Sequence, residues 1–151
     1  MTEQDNAVNE LLTFKLGQQE YALDIMSVRE IRGWTKTTPM PHAPSFMRGV
    51  INLRGTVLPV MDLAARLGLP PTETTERNVI IVVKCNDAMT GLLVDAVSDI
   101  IALSAEDMQP PPDVGGDATT NTIRALSLVD ERMIRILELS NVITKPESAA
   151  A

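Results

Sequence analysis

The sequence predicts an all-β protein, and three observations support this class. Most apolar segments are short and rich in Val, Ile and Leu, and Gly, Asn, Asp or Pro separates them. Several segments come in pairs around turn residues, which is typical of β-hairpins in barrels and sandwiches. Closing the sheets would hide the edges that so many short strands otherwise expose, so small barrels are favoured.

About nine or ten strands are predicted from the alternation of apolar and turn residues. Arg54-Gly55 fits a tight hairpin in which Gly55 supplies a positive φ, and Asp130-Glu131 fits the last hairpin. Pro59 cannot donate a ladder hydrogen bond, so its strand is expected at an edge or a bulge. The predicted strands cover residues 11–16, 21–23, 49–53, 56–61, 78–84, 89–94, 96–103, 123–129 and 132–139.

Three short helical turns are predicted from their capping residues. Asp62 can accept hydrogen bonds from the first free amides of a turn over residues 63–67, and Gly68 can end that turn in the left-handed conformation. Loss of such a cap costs about 1 kcal/mol. The other two turns are expected after Asp24 and after Ser104. At Ser104, Asp107 three positions later completes a capping box.

The charge balance argues against nucleic-acid binding. The chain has 13 Lys and Arg residues against 20 Asp and Glu residues, a formal net charge of −7, and few aromatic side chains that could stack on bases. Binding to a phosphate backbone needs a basic surface, with aromatic platforms where single strands are bound. We therefore expect no nucleic-acid partner.

The length of 151 residues corresponds to one ordinary domain or two very small units that share a core. We expect one domain over residues 10–143, with a disordered N-terminal tail (1–9) and a flexible C-terminal tail (144–151). Cys85 is the only cysteine, so the chain cannot form an internal disulfide. No secretory signal or membrane-length apolar run is evident, which favours a cytoplasmic protein without membrane insertion.

The sequence offers no credible catalytic or metal site. His42 and Cys85 are each the sole residue of their type, so a cluster of zinc ligands cannot be assembled from them. Nucleotide-binding glycine loops and a nucleophile elbow are also missing. One alternative stays open, a small acidic hydrolase that uses Asp62 and Asp95 as paired carboxylates. Their simpler roles are helix capping and hydrogen bonding to nearby amides.

Two segments allow either a structural or a binding interpretation. Arg54 projects from a tight turn, where its guanidinium could bind a partner's carboxylate or remain an ordinary solvated side chain. Val28 and Ile31 lie three residues apart. They could form the inner face of a short helix or line an apolar contact patch.

Taken together, these segments resemble the CheW family of chemotaxis adaptor proteins. The most specific block is the Asn-Leu-Arg-Gly turn at residues 52–55 followed by Pro-Val-x-Asp-Leu at 59–63, and the resemblance runs from about residue 11 to residue 143. The other matching blocks are Phe14-x-Leu16, Tyr21-Ala22-Leu23-Asp24-Ile25, Val28-x-Glu30-Ile31, Pro39-Met40-Pro41, Ala43-Pro44-x-Phe46, Gly49-Val50-Ile51, Arg66-Leu67-Gly68, Gly91-Leu92-Leu93-Val94-Asp95-x-Val97 and Asp130-x-Arg132-Met133-Ile134.

The resemblance implies a fold of two small five-stranded SH3-like barrels that share a hydrophobic core. It also implies a protein without enzymatic activity or cofactor, which bridges the cytoplasmic hairpin tip of methyl-accepting chemoreceptors and the regulatory domain of the CheA histidine kinase. Such a protein is expected to be a monomer when free and to join kinase rings at membrane receptor arrays. A CheW-like module of another kinase pathway remains an alternative.

By position, the resemblance assigns receptor or kinase coupling to Val28, Glu30, Ile31, Gly49 and Arg54. An apolar groove between the barrels, with Arg54 at its rim, is the expected binding site for the receptor hairpin. The segment around Gly91 and residues 94–97 is a further sensitive region, either structural or interfacial.

Overall fold

The computed structural model describes residues 8–111 and 122–143 of the chain. These residues form ten β-strands, two short α-helices and two 3-10 turns, at Ile25–Ser27 and Ala105–Asp107. In chain order the strands and helices are β1 (Val8–Leu16), β2 (Gln19–Asp24), β3 (Val28–Gly33), β4 (Met47–Leu53), β5 (Thr56–Asp62), α1 (Leu63–Arg66), β6 (Val79–Cys85), β7 (Ala88–Val94), β8 (Ala96–Ser104), β9 (Ile123–Val129), β10 (Arg132–Leu137) and α2 (Leu139–Val142).

The strands form two five-stranded sheets. Sheet 1 has the order β8-β1-β2-β10-β9, and sheet 2 has the order β3-β6-β7-β5-β4. In each sheet the chain that leaves one edge strand pairs with the opposite edge strand, through Thr38 and Val50 in sheet 2 and through Gln109 and Leu126 in sheet 1. This pairing joins the two edges of each sheet, as closure into a small barrel requires. The predicted class, all-β with two five-stranded units, is confirmed.

The two halves of the chain have the same order of elements and exchange their hairpins. Residues 8–66 run through a hairpin, a single strand, a second hairpin and a short helix, and residues 79–142 repeat this order. The first hairpin of each half joins the sheet built by the rest of the other half. The chain therefore crosses between the sheets after β2 and again after β7.

One apolar layer is shared between the sheets. Sheet 1 contributes Leu12 and Phe14, sheet 2 contributes Ile81 and Leu92, and both helices contribute leucines, all of them buried. Each sheet also has a smaller core of its own on the opposite face. Full burial of one large apolar side chain contributes about 1.5–3 kcal/mol, so separating the sheets would cost many such contributions.

The predicted caps are confirmed. The Asp62 carboxylate accepts a hydrogen bond from the Ala65 amide at the start of α1, and Gly68 follows the helix with φ +84°. The Asp24 carboxylate accepts from the Met26 amide. The Ser104 amide donates to the carboxylate of Asp107 at 2.9 Å, as a capping box requires.

Several sequence predictions need correction. Residues 28–31 are extended in β3, so of the two interpretations left open for Val28 and Ile31 the short helix is wrong; the β-branched residues favour a strand there. β5 lies inside sheet 2, between β4 and β7, so Pro59 is not in an edge strand. The pairing of β5 with β7 begins only at Val60, so Pro59 lies just outside the end of that ladder. The helix α2, at the end of the last predicted strand, was not predicted.

The boundaries of the predicted tails can be compared with the structure only in part. Val8 and Asn9, assigned to the N-terminal tail, belong to β1 and pair with Ser104 and Leu103 of β8. Their backbone groups are satisfied in the ladder, which explains the longer strand. The predictions for residues 1–7, 112–121 and 144–151 lie outside the described residues. In the described part of the chain no helix has the length and apolar character needed to cross a bilayer.

Gly49→Ala should lower the free energy of unfolding by more than about 2 kcal/mol, because backbone strain and steric overlap both act there. Gly49 has φ +134°, and an added Cβ would overlap the carbonyl oxygen of Thr38, whose backbone pairs with β4 at the sheet edge. Urea denaturation gives the measurement. Gly17→Ala is the matched control, since Gly17 has φ +62° with open space around it and should lose about 1 kcal/mol. Equal losses would contradict the assigned overlap.

Candidate binding surface

The β4–β5 hairpin holds Arg54 in a fixed turn. Arg54 and Gly55 have φ values of +51° and +86°, as the two central residues of a type I′ turn require. The Asn52 side chain accepts a hydrogen bond from the Gly55 amide at 2.8 Å. The positive φ predicted for Gly55 is confirmed, whereas that of Arg54 was not foreseen. This turn projects the Arg54 side chain outward, and 70% of its surface is exposed.

Arg54 forms an ion pair with Glu30, a residue 24 positions earlier in the chain. The Arg54 Nη2 atom lies 2.8 Å from Glu30 Oε1, and Arg32 Nη1 lies 2.8 Å from Glu30 Oε2. Hydrogen bonds from Arg54 and then from Arg32 lower the pKa of Glu30 to about 2. The structure thus brings together two of the predicted site residues, Arg54 and Glu30, and adds Arg32, which the sequence did not single out.

The apolar site residues of β3 lie beside the shared core. Val28 is opposite Val83 and Ile31 is opposite Ile81, and a β-bulge at Arg29 separates the two pairs. Cross-strand neighbours project from the same face of a sheet, and Val83 and Ile81 belong to the shared core. Val28 packs against that core, whereas Ile31 remains 47% exposed.

The edge strand β8 repeats this arrangement on sheet 1. Val97 is opposite Phe14 and Ile100 is opposite Leu12, with a bulge at Ser98 between them. Phe14 and Leu12 also belong to the shared core, against which Val97 packs, whereas Ile100 is 54% exposed. β3 and β8 therefore carry the same apolar pair at equivalent positions.

We name this four-residue set, Val28, Ile31, Val97 and Ile100, the β3/β8 surface. Val28 and Val97 pack against the shared core and Ile31 and Ile100 are exposed, in each case on an edge strand of its sheet. Sequence reasoning missed Ile100. The signal was present, since residues 28–31 read Val-Arg-Glu-Ile and residues 97–100 read Val-Ser-Asp-Ile.

Gly49, the remaining predicted coupling residue, is buried and has no side chain to offer a partner. Its close approach to the Thr38 carbonyl gives it a structural role in closing sheet 2. Gly91 is similar, because an added Cβ would lie 2.9 Å from the Ile80 side chain.

Asp62 and Asp95, the two carboxylates that the hydrolase interpretation would use, accept hydrogen bonds from different structural partners. Asp62 is 2% exposed and accepts from Arg48 Nη2 at 3.0 Å and from the Thr72 amide at 3.0 Å, besides capping α1. Asp95 accepts from the Gly17 amide at 2.5 Å. Within the described residues no cluster of three potential metal ligands occurs. The hydrolase interpretation gains no support from this geometry.

The expected groove with Arg54 at its rim does not coincide with the cavity beside the β1–β2 turn. That cavity, of about 570 Å³, lies between the β1–β2 turn and residues 69–78, and its lining includes Glu73, Arg77 and Asp95. It is therefore polar in part, and Arg54 lies elsewhere, on the β4–β5 turn.

Comparison with known proteins places this fold in one family. The family model for CheW-like domains matches residues 10–147, which is most of the chain. The chain belongs to the CheW family. It is 51% identical to the probable chemotaxis protein CheW of Rhizobium etli, over 94% of this chain and 92% of that protein. It is 50% identical to the chemotaxis protein CheW of Rhizobium meliloti, over 97% and 94%.

A solved structure of a CheW-family protein agrees with the fold. The scaffolding protein TtCheW from Thermoanaerobacter tengcongensis superposes with a TM-score of 0.83 at 32% sequence identity, covering 92% of this chain and 94% of that one. The chain is thus a member of a family of chemotaxis scaffold proteins, as the sequence resemblance indicated.

Arg54→Ala should raise the pKa of Glu30 from about 2 toward its ordinary value of 4.5, without reaching it, because Arg32 still donates to the carboxylate. A carboxyl group with a lowered pKa stabilises the fold above pH 4.5, and that contribution is lost as the pH falls from 4.5 through about 2. A carbon-detected NMR titration of the Glu30 side chain measures the pKa. An unchanged value in Arg54→Ala would show that the pair does not persist in solution.

Asp62→Ala should cost about 2–4 kcal/mol of unfolding free energy, more than the loss of a cap alone. The substitution also leaves the partly buried Arg48 without its carboxylate and the Thr72 amide without its acceptor. Asp62→Asn is the matched variant, since it keeps Oδ1 for the cap but replaces Oδ2, the acceptor for Arg48 and the Thr72 amide, with an NH2 group that cannot accept. A loss of about 1 kcal/mol in Asp62→Ala, measured by urea denaturation, would mean that the cap is the only significant contribution.

Proposed function

We propose that this CheW-family chain is a non-catalytic adaptor that couples the cytoplasmic tip of methyl-accepting chemoreceptors to the CheA histidine kinase. In this proposal residues 10–143 act as one unit, monomeric when free, which joins the kinase in rings at membrane receptor arrays. The β3/β8 surface carries the proposal, since on each edge strand it combines a valine packed against the shared core with an exposed isoleucine. No substrate or cofactor is needed for this function.

The receptor is proposed to bind at the β3/β8 surface. A receptor tip is a helical hairpin, and a helix binds an apolar surface through side chains spaced three or four residues apart on one face. Ile31 and Ile100 supply exposed apolar contacts on the two edge strands, and Val28 and Val97 connect them to the rigid core. Burial on the order of 1,200 Å² with micromolar affinity, near −8 kcal/mol, suits a reversible signalling contact of this kind.

Arg54 is proposed to anchor the signalling complex. Its turn and its ion pair with Glu30 fix the guanidinium before a partner arrives, so less side-chain entropy is lost on binding. Only Nη2 is engaged by Glu30, which leaves the other guanidinium nitrogens for a partner's carboxylate or carbonyl groups. Glu30 thereby acts through Arg54, as a residue that orients it.

Arg54→Ala should weaken binding to a receptor hairpin fragment or to the kinase regulatory domain by about 1–3 kcal/mol, as truncation of an interface anchor does. Its stability should change by no more than about 1 kcal/mol, because exposed ion pairs contribute little. Calorimetric titration of the purified proteins gives both affinities. Arg124→Ala removes an equal charge from an exposed site on β9 and should bind normally. Equal affinities for wild type and Arg54→Ala with both partners would refute the assignment of Arg54.

Ile31→Ser and Ile100→Ser should each weaken binding of the receptor fragment by about 1–2 kcal/mol, because each removes an exposed apolar contact. The folded state should keep most of its stability, since both side chains are about half exposed. Leu128→Ser is the control, an exposed apolar residue on β9 outside the proposed surface. If Leu128→Ser weakens receptor binding as much as the two test variants do, the β3/β8 surface is not the receptor site.

A further inference from the structure

A second concave site lies on the side of the molecule where both helices meet sheet 1. It is a cleft of about 380 Å³ whose lining includes Arg66 at the end of α1, Arg135 of β10, and Thr122 and Ile123 at the start of β9. Leu67, Gly68 and Tyr21 complete it, so none of its described lining residues is acidic. The chain as a whole has a net charge of −7, whereas the described lining of this cleft carries two arginines and no carboxylate.

Neutral groups orient both arginines. Arg66 donates from Nε to the Val142 carbonyl and from Nη2 to the Asn141 carbonyl, each at 2.9 Å, and its guanidinium lies 5.6 Å from the Phe46 ring centre. The Arg135 guanidinium lies 5.5 Å from the centre of the Tyr21 ring. Carbonyls and aromatic faces fix the position of a guanidinium without neutralising its charge.

Four other arginines are paired with carboxylates, whereas Arg29, Arg77 and Arg124 resemble Arg66 and Arg135 in having no ion pair among the described residues. Within residues 8–111 and 122–143, ion pairs with carboxylates are formed by Arg32, Arg48, Arg54 and Arg132. Over the same residues no carboxylate lies within ion-pair distance of Arg66 or Arg135. Among the described residues, two oriented positive charges thus line one cleft whose walls carry no carboxylate, although Arg135 also lines a second cleft together with Glu20.

We propose that this cleft binds a single oxyanion group, a carboxylate or a phosphate. The Arg66 Nη1 atom and the guanidinium edge of Arg135 supply the donors, because planar guanidinium groups match the oxygen geometry of both anions. Leu67 and Ile123 supply apolar walls for the remainder of the ligand. The oxyanion belongs either to a small free ligand or to an acidic side chain of a partner protein. The proposal does not depend on the receptor and kinase assignment above.

The direct test is an NMR titration of the full chain with inorganic phosphate, at an ionic strength held constant with chloride. We expect saturable shifts of the Gly68 and Ile123 amides, and binding that is weaker by about tenfold or more in Arg135→Gln, because a charge-assisted hydrogen bond is lost. Arg124→Gln is the control, since it makes the same charge change at an exposed position outside the cleft and should bind phosphate as the wild type does.

A second arm identifies the source of the oxyanion. The receptor hairpin fragment and the kinase regulatory domain are titrated against wild type, Arg135→Gln and Arg124→Gln. A partner affinity lowered about tenfold by Arg135→Gln alone assigns the oxyanion to an acidic side chain of that partner. Saturable phosphate binding with unchanged partner affinities assigns it to a free ligand. The proposal is overturned if phosphate produces no saturable shift and Arg135→Gln binds both partners like Arg124→Gln.

Discussion

The burial of one apolar layer between two sheets is the constraint on which the rest of the structure depends. The first hairpin of each half of the chain completes the sheet of the other half, so neither sheet can be assembled from one continuous segment. Leu12 and Phe14 of sheet 1 and Ile81 and Leu92 of sheet 2 meet in this layer. Their burial opposes the loop-closure entropy of bringing together strands as distant in sequence as β2 and β10. The relative position of the sheets therefore follows from the shared core.

The proposed binding surface is a direct consequence of that arrangement. Both edge strands place a valine against the core and an isoleucine in solvent, with a bulge between them, because the two halves of the chain use the same local pattern. A scaffold needs surfaces that are held rigidly relative to one another, and packing against a common core provides this. Arg54 is fixed by a different means, a left-handed turn residue together with an ion pair to Glu30 on β3. The charged and apolar parts of the site thus meet on β3.

The sequence was sufficient for the fold class, the hairpin turns and the caps, because these depend on local chemistry such as the amides that Asp62 accepts from and the positive φ at Gly55 and Gly68. Local patterns do not determine which strands become neighbours. The ion pair of Arg54 with Glu30 and the exposure of Ile100 on an edge strand both depend on that pairing. A short helix remained possible for residues 28–31 because two apolar residues three positions apart share one face of a helix. A bulge in a strand brings residues at the same spacing to one face as well. Family resemblance indicated the site residues but not their partners.

Native-state hydrogen exchange, followed for amides of β2 in sheet 1 and of β7 in sheet 2, tests the shared core most directly. If the two sheets depend on one apolar layer, the most protected amides of both strands exchange with the same free energy of opening, equal to that of global unfolding. They also respond equally to denaturant, because one cooperative transition exposes them all. Opening of one sheet at a clearly lower free energy, while the other stays protected, would contradict a single core that holds both sheets.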